Sequence, residues 1–123
     1  MTRAKFVRSF AYAIEGIVQT FREGLNFKVQ LCFAVAAIVL GVIFPLEPYE
    51  WAIVFVCIGV VLGGECVNTS IEAIVDLVSP DYHELAKRAK DCAAGAVLVC
   101  SIASLFVAAF LFLPRMLVAF GLL

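Results

Sequence analysis

Four polar side chains follow a long apolar run near the middle of the chain. The run from Trp51 to Gly64 carries no charge, and Glu65, Asn68, Glu72 and Asp76 come after it. In a helix, where each residue advances by about 100°, these four side chains lie within roughly 80° of one another. We call them the acidic stripe. Charged groups on a membrane helix are energetically costly, so the stripe indicates a functional site. The alternative is a polar helix end that leaves the membrane, which an ordered stripe without basic residues disfavours.

The stripe covers a range of depths in the membrane. If Glu50 marks the outer interface, Glu65 lies about 22 Å along the helix, Glu72 about 33 Å and Asp76 about 39 Å. The hydrocarbon core is about 30 Å thick. Glu65 is therefore expected just inside the hydrocarbon, where its carboxylate can act as a general base. Glu72 and Asp76 lie nearer to water, where they can hold a hard cation such as Mg²⁺ together with substrate phosphates.

A polar segment with several basic side chains follows the stripe. Residues 81–91 contain His83, Lys87, Arg88 and Lys90. Carboxylates that bind Mg²⁺ beside basic side chains are typical of phosphoryl transfer, although no GxxxxGK[ST] or GxGxxG motif is present. Each part also has a simpler explanation. The basic residues can be positive-inside charge, His83 a surface histidine and Asp91 a helix cap. Buried acids also mark ion pathways, so an ion-conducting protein remains an alternative.

The composition is typical of a small integral membrane protein. The 123 residues are 64% hydrophobic, the mean hydropathy is +1.07, and we expect no nucleic-acid partner. Apolar runs predict membrane helices at residues 27–44, 49–77 and 93–113, the last ended by Pro114. Residues 1–123 are therefore expected to form one all-α membrane domain. The five cysteines include no CxxC pair and are expected to be small buried hydrophobic residues.

The N-terminal segment and the basic residues predict the orientation. Residues 6–22 place their apolar side chains on one helical face, which is typical of an amphipathic helix lying in the membrane interface. Arg115 is the one basic residue expected on the outer side. The positive-inside rule therefore places the N-terminus and residues 81–91 in the cytoplasm. We expect a multi-pass protein of the cell membrane with its active site at the cytoplasmic face.

Two motifs resemble the prokaryotic diacylglycerol kinase and undecaprenol kinase family. They are E-x-x-N-[ST]-x-I-E-x-x-V-D at residues 65–76 and Y-H-x-x-A-K-x-A-K-D at residues 82–91. The resemblance implies a homotrimer with active sites shared between neighbouring subunits. It also implies transfer of the ATP γ-phosphate to a lipid alcohol with Mg²⁺. Glu65 matches the catalytic base and Glu72 a metal ligand. Matches to the nucleotide site are Tyr12, Asn68, Glu72, Asp76, Asp81, Tyr82, His83, Lys90 and Asp91.

One position departs from the family pattern. The family has a second metal-binding glutamate three residues before the residue that opens the first span, which is Gly24 when counted from Phe27. Either Glu23 serves as the second metal ligand, or the metal site is weaker, which leaves a non-catalytic helper as an alternative. The sequence of residues 75–80 and 85–90 is more similar to the undecaprenol kinase branch than to the diacylglycerol kinase branch. Undecaprenol is therefore the expected substrate, with diacylglycerol as the alternative.

Overall fold

Four α-helices make up the protein in a computed structural model, which describes residues 1–123. They are α1 (Arg3–Glu23), α2 (Leu25–Ile43), α3 (Pro48–Val78) and α4 (Glu84–Ala119). The last three are long and apolar enough to cross a membrane. The all-α class is therefore confirmed, and so is the prediction of three helices with the length and composition needed to span a membrane.

Gly24 separates α1 from α2. Its backbone is extended, with φ −108° and ψ 117°, and its N–H donates to the Thr20 carbonyl at 3.0 Å. A Cβ at this position would lie 3.1 Å from the same carbonyl oxygen. Thr20 is buried, and the Phe21 ring packs edge-on against Phe27 of α2. Packing on both sides of the glycine therefore holds the junction between the two helices.

Trp51 of α3 packs against Gly41 of α2 beside the turn that joins the two helices. A Cβ on Gly41 would lie 2.6 Å from Cη2 and 2.9 Å from Cζ2 of the indole, so only glycine leaves room for this ring. α3 begins at Pro48, where the missing N–H costs no helical hydrogen bond. Glu50 Oε1 accepts a hydrogen bond from the Glu47 N–H at 3.0 Å, which satisfies an amide at the helix start.

α3 and α4 form the main packed pair. Val54 of α3 is buried, as are Ala93, Val97 and Phe112 of α4. Only 10 of the 123 residues are buried in the single chain. Most apolar side chains consequently face outward, which suits helices surrounded by lipid or by further protein.

α4 is longer than the apolar run predicts. It begins at Glu84, so residues 84–91 are helical although the sequence predicts a polar connection there. His83 Nδ1 accepts a hydrogen bond from the Leu85 N–H at 3.1 Å and caps this start. Asp91 lies two turns inside the helix and does not cap it. The bounds predicted for the other helices differ from the observed ones by at most three residues.

α4 also continues through Pro114, so the prediction that this proline ends the helix is wrong. Arg115 Nη2 lies 2.7 Å from Glu50 Oε1, and Nη1 lies 3.0 Å from Oε2. Nη1 also donates to the Leu111 carbonyl at 2.7 Å. The Glu50 side chain is 6% exposed and that of Arg115 is 32% exposed. This two-point pair fastens the turn after Pro114 to the start of α3, so the helix persists.

The cysteines are less buried than expected. Cys32 and Cys92 are exposed, and the other three are partly exposed. The prediction of buried positions is therefore wrong for the single chain, because the helices bury few residues against one another.

Candidate active site

The acidic stripe lies on one continuous helix, α3. Glu65 and Asn68 are each 5% exposed, whereas Glu72 and Asp76 are exposed. The stripe therefore runs from the interior of the helix bundle to its surface. Such a gradient allows one end to meet an apolar substrate and the other to meet a solute from water.

Glu65 has a hydrogen-bond partner on α2. Gln30 Nε2 donates to Glu65 Oε2 at 3.2 Å. The Gln30 carbonyl oxygen Oε1 is buried and has no partner. Gln30 was not among the predicted site residues, although it is one of only two polar interruptions near the start of an apolar run, the other being Lys28. That interruption was the available signal.

Asn68 and Glu72 form the next part of the stripe. Asn68 Nδ2 donates to Glu72 Oε1 at 3.3 Å, and the buried Asn68 Oδ1 has no partner. An unpaired amide oxygen beside a carboxylate is a donor set that fits Mg²⁺. No cluster of three or more His, Cys, Asp or Glu side chains is arranged to hold a metal ion. Such a site would therefore need phosphate oxygens and water to complete it, as is usual for Mg²⁺.

The start of α4 reaches the surface end of the stripe. Lys90 Nζ lies 2.5 Å from Asp76 Oδ1, and these side chains are 39% and 64% exposed. Lys87 pairs in the same way with Asp91 at 2.5 Å, four residues further along α4. Exposed ion pairs contribute little stability. These lysines can therefore exchange a carboxylate for a phosphate at small cost.

The other predicted residues of this segment lie just before α4 or in its first two turns. Tyr82 and Asp91 line a shallow polar concavity of about 520 Å³ with Glu84, Lys87, Arg88 and Cys92. His83 caps α4, and the Asp81 carbonyl accepts a hydrogen bond from the Ser79 hydroxyl at 3.0 Å.

Two predicted residues on α1 make no hydrogen bond with the stripe. Tyr12 is exposed. Glu23 is exposed at the end of α1 and accepts a hydrogen bond from the Gln19 amide. Both were predicted from the family resemblance, and within a single chain neither is hydrogen-bonded to Glu65 or Glu72.

An apolar cavity of about 270 Å³ lies between α2, α3 and α4. Fourteen of its 17 lining residues are hydrophobic, and the exceptions are Gln30, Ser101 and Ser104. Gln30 therefore contacts both this cavity and the Glu65 carboxylate. The arrangement can hold a hydrocarbon chain and present a polar group at its end to a buried carboxylate.

Known proteins resemble this chain over most of its length. Residues 11–112 match the family described as Prokaryotic diacylglycerol kinase. The chain is 40% identical over 112 residues to an undecaprenol kinase of Bacillus subtilis, covering 91% of each protein. It is 42% identical over 110 residues to a diacylglycerol kinase of Synechocystis sp., covering 89% of this chain and 63% of that protein. A diacylglycerol kinase of Escherichia coli is 26% identical over 98 residues, 80% of each chain. The family match includes the acidic stripe and residues 82–91, and the chain therefore belongs to the prokaryotic diacylglycerol kinase family.

Proposed function

We propose that this lipid kinase phosphorylates undecaprenol with ATP, giving undecaprenyl phosphate and ADP. The observation that carries the proposal is the buried Glu65 carboxylate beside an apolar cavity, in a chain 40% identical to an undecaprenol kinase over 91% of its length. Diacylglycerol is the second candidate substrate, because a relative of comparable identity, 42%, is a diacylglycerol kinase. The family match favours a kinase over an ion conductor.

The lipid substrate enters from the membrane in this proposal. The part of its hydrocarbon tail nearest the hydroxyl occupies the apolar cavity between α2, α3 and α4, where burial of apolar surface favours binding. The tail then ends near Gln30, and the hydroxyl group lies beside Glu65. A long-chain alcohol fits this arrangement because its single polar group is at one end.

Glu65 acts as the general base in the transfer step. Its Oε1, which accepts no hydrogen bond in the structure, takes the proton of the lipid hydroxyl. The alcohol oxygen forms a bond to the γ-phosphorus, the bond from that phosphorus to the β–γ bridging oxygen breaks, and ADP leaves. Burial of Glu65 keeps water from competing with the lipid for the phosphoryl group.

The nucleotide lies at the exposed end of the stripe. Glu72, with Asn68 beside it, would hold Mg²⁺, which neutralises phosphate charge when bound. Glu23 is the candidate for a second metal ligand. Lys90 exchanges Asp76 for phosphate oxygens. The other proposed nucleotide contacts are Tyr12, Asp76, Asp81, Tyr82, His83 and Asp91.

We infer that the chain forms a homotrimer with shared sites, located in the cell membrane. One face of α3 supports this, because a Cβ on Gly59 or Gly63 would meet no atom within 4 Å in the single chain. Small residues at this spacing allow close packing of membrane helices. We expect Gly59→Leu to reduce the particle mass measured by light scattering in detergent. Gly16→Leu on α1, at another open glycine, should leave the mass unchanged.

The function is tested with purified protein in detergent, labelled ATP and Mg²⁺. Undecaprenol and diacylglycerol are offered together at equal concentration, and the two phosphorylated lipids are separated and counted. We expect label mainly in undecaprenyl phosphate. Label mainly in phosphatidic acid would favour the second candidate, and label in neither lipid would favour a non-catalytic protein.

A further inference from the structure

We propose that Gln30 is a positioning residue that fixes the orientation of the Glu65 carboxylate toward the lipid hydroxyl. This inference rests on the proposed function of Glu65 as the base. Gln30 lies on α2 and Glu65 on α3, 35 residues apart. The hydrogen bond between them joins Gln30, which lines the apolar cavity, to the Glu65 carboxylate, at the point where the lipid hydroxyl is expected.

The contact leaves one carboxylate oxygen of Glu65 without a hydrogen bond. Gln30 Nε2 donates to Glu65 Oε2 at 3.2 Å, and Oε1 accepts no hydrogen bond. A bond from an amide N–H to a charged acceptor is stronger than one between neutral groups. Glu65 is only 5% exposed, so bulk water is poorly placed to replace this donor. Without Gln30, the flexible glutamate side chain would sample other rotamers and its free oxygen would leave the reactive position.

The orientation of the Gln30 amide is dictated by chemistry. An ionised glutamate can only accept hydrogen bonds, so the amide must turn its NH₂ group toward Glu65. Its carbonyl oxygen is then buried without a donor, an arrangement that costs stability. An apolar side chain of the same shape would avoid that cost. If Gln30 served only for packing, methionine at this position would give a more stable protein without loss of activity. If Gln30 positions Glu65, methionine would remove the N–H donor and lower the activity.

The first experiment compares Gln30→Met with the unchanged protein. Methionine keeps the length of the side chain but removes the N–H donor. We expect kcat for lipid phosphorylation to fall by about 10-fold to 10²-fold, because small misplacements of a catalytic group have effects of this order. The KM for ATP should stay unchanged. The thermal unfolding midpoint should be no lower than that of the unchanged protein. Gln30→His restores a ring N–H donor and should recover most of the lost kcat.

A matched control lies one turn earlier on α2. Asn26 is exposed and forms no side-chain hydrogen bond in the structure, so Asn26→Met removes an amide without touching Glu65. We expect its kcat to match that of the unchanged protein. An equal loss of kcat in both variants would overturn the inference, because it would trace the effect to α2 in general.

The second experiment introduces Gln30→Met into a Glu65→Gln background. A residue that acts through Glu65 has nothing to position once the base is gone, so the second change should cause no further loss of kcat. Multiplying losses would overturn the inference, as would an unchanged kcat in Gln30→Met alone. If Glu65→Gln itself keeps its activity, the proposed base is wrong. If Glu65→Gln loses activity but Gln30→Met keeps a normal kcat, the proposed function stands and only the positioning role of Gln30 is removed.

Discussion

Glu65 is the residue on which the proposed chemistry depends most. Glutamine at this position keeps the size and the ability to hydrogen-bond but cannot accept a proton from the lipid hydroxyl. We predict that Glu65→Gln lowers kcat by about 10²-fold or more, with little change in the KM for ATP. The fold should survive, because the change removes a buried charge. Steady-state kinetics in detergent measure kcat and KM, and thermal unfolding measures whether the fold survives.

Glu15→Gln is the control for Glu65→Gln. Glu15 is an exposed carboxylate on α1 without a hydrogen bond, and its loss should leave kcat unchanged. Near-normal kcat in Glu65→Gln would contradict the assignment of the base. A defect confined to ATP binding would instead make Glu65 a nucleotide or metal ligand.

Glu72 and Glu23, the two proposed metal ligands, differ in their hydrogen-bond partners. Glu72 is bonded to Asn68, whose carbonyl oxygen has no partner, whereas Glu23 is bonded to Gln19 on its own helix. We predict that Glu72→Gln strongly raises the Mg²⁺ concentration needed for half-maximal activity, because the cation loses a charged ligand. Glu23→Gln should do the same only if Glu23 also reaches the ion. Titration of both variants with Mg²⁺ separates these cases, and normal Mg²⁺ dependence removes the variant's residue from the metal site.

At the scale of the helices, α4 contributes more than an apolar span. Its first two turns, residues 84–91, extend the helix beyond the apolar run and bring Lys90 to Asp76 at the end of α3. Its last turns carry Arg115 to Glu50 at the other end of α3. The buried Glu50–Arg115 contact therefore holds the α3–α4 pair in register. The exposed Lys90–Asp76 contact adds little stability but places a lysine beside the surface end of the stripe.

The Glu50–Arg115 pair predicts an order of stabilities. Arg115→Met leaves a buried carboxylate without its partner, which is more harmful than removing both charges. We predict the lowest thermal unfolding midpoint in detergent for Arg115→Met and a higher one for Glu50→Gln combined with Arg115→Met. Lys87→Met is a control, because its ion pair with Asp91 is exposed and should add little. Equal midpoints for the single and double variants would show that the ion pair does not hold the two helices.

At the scale of the whole molecule, three helices that each cross the membrane once would place the two termini on opposite sides. The asymmetry of basic residues predicts a cytoplasmic N-terminus and an outward C-terminus. We predict that an impermeant thiol reagent added to intact cells labels Leu123→Cys but not Thr2→Cys. Each variant is prepared in a background from which the five natural cysteines have been removed. Thr2→Cys should become labelled once the cells are opened, which controls for its reactivity. Labelling of Thr2→Cys in intact cells would contradict this orientation.

The small number of buried residues also concerns the whole molecule. With 10 of 123 residues buried, a single chain leaves most of its apolar surface to be covered by lipid or by other copies. Tyr12 and Glu23 form no hydrogen bond with the stripe in one chain, and a site shared between copies would explain their predicted roles. The light-scattering experiment on Gly59→Leu therefore also bears on how the nucleotide site is completed.

The sequence by itself determined the features that depend on local order along one helix. Periodicity placed the acidic stripe on a single face of α3, and apolar runs located three membrane helices within a few residues of their observed bounds, except at the two ends of α4. The resemblance of two sequence motifs to a known family indicated the family, and the match over residues 11–112 confirmed it. These features are accessible from sequence because helical geometry and hydropathy depend on residues near one another in the chain.

Only the tertiary structure decided which helices meet and through which side chains. Gln30 and Glu65 are 35 residues apart, and Glu50 and Arg115 are 65 apart. Neither pairing follows from a motif, because each depends on how α2 and α4 are rotated and shifted against α3. The Arg115 contact also explains why α4 continues past Pro114, against the local preference of proline. Contacts between helices arise from packing, and packing is a property of the assembled chain that no single segment encodes.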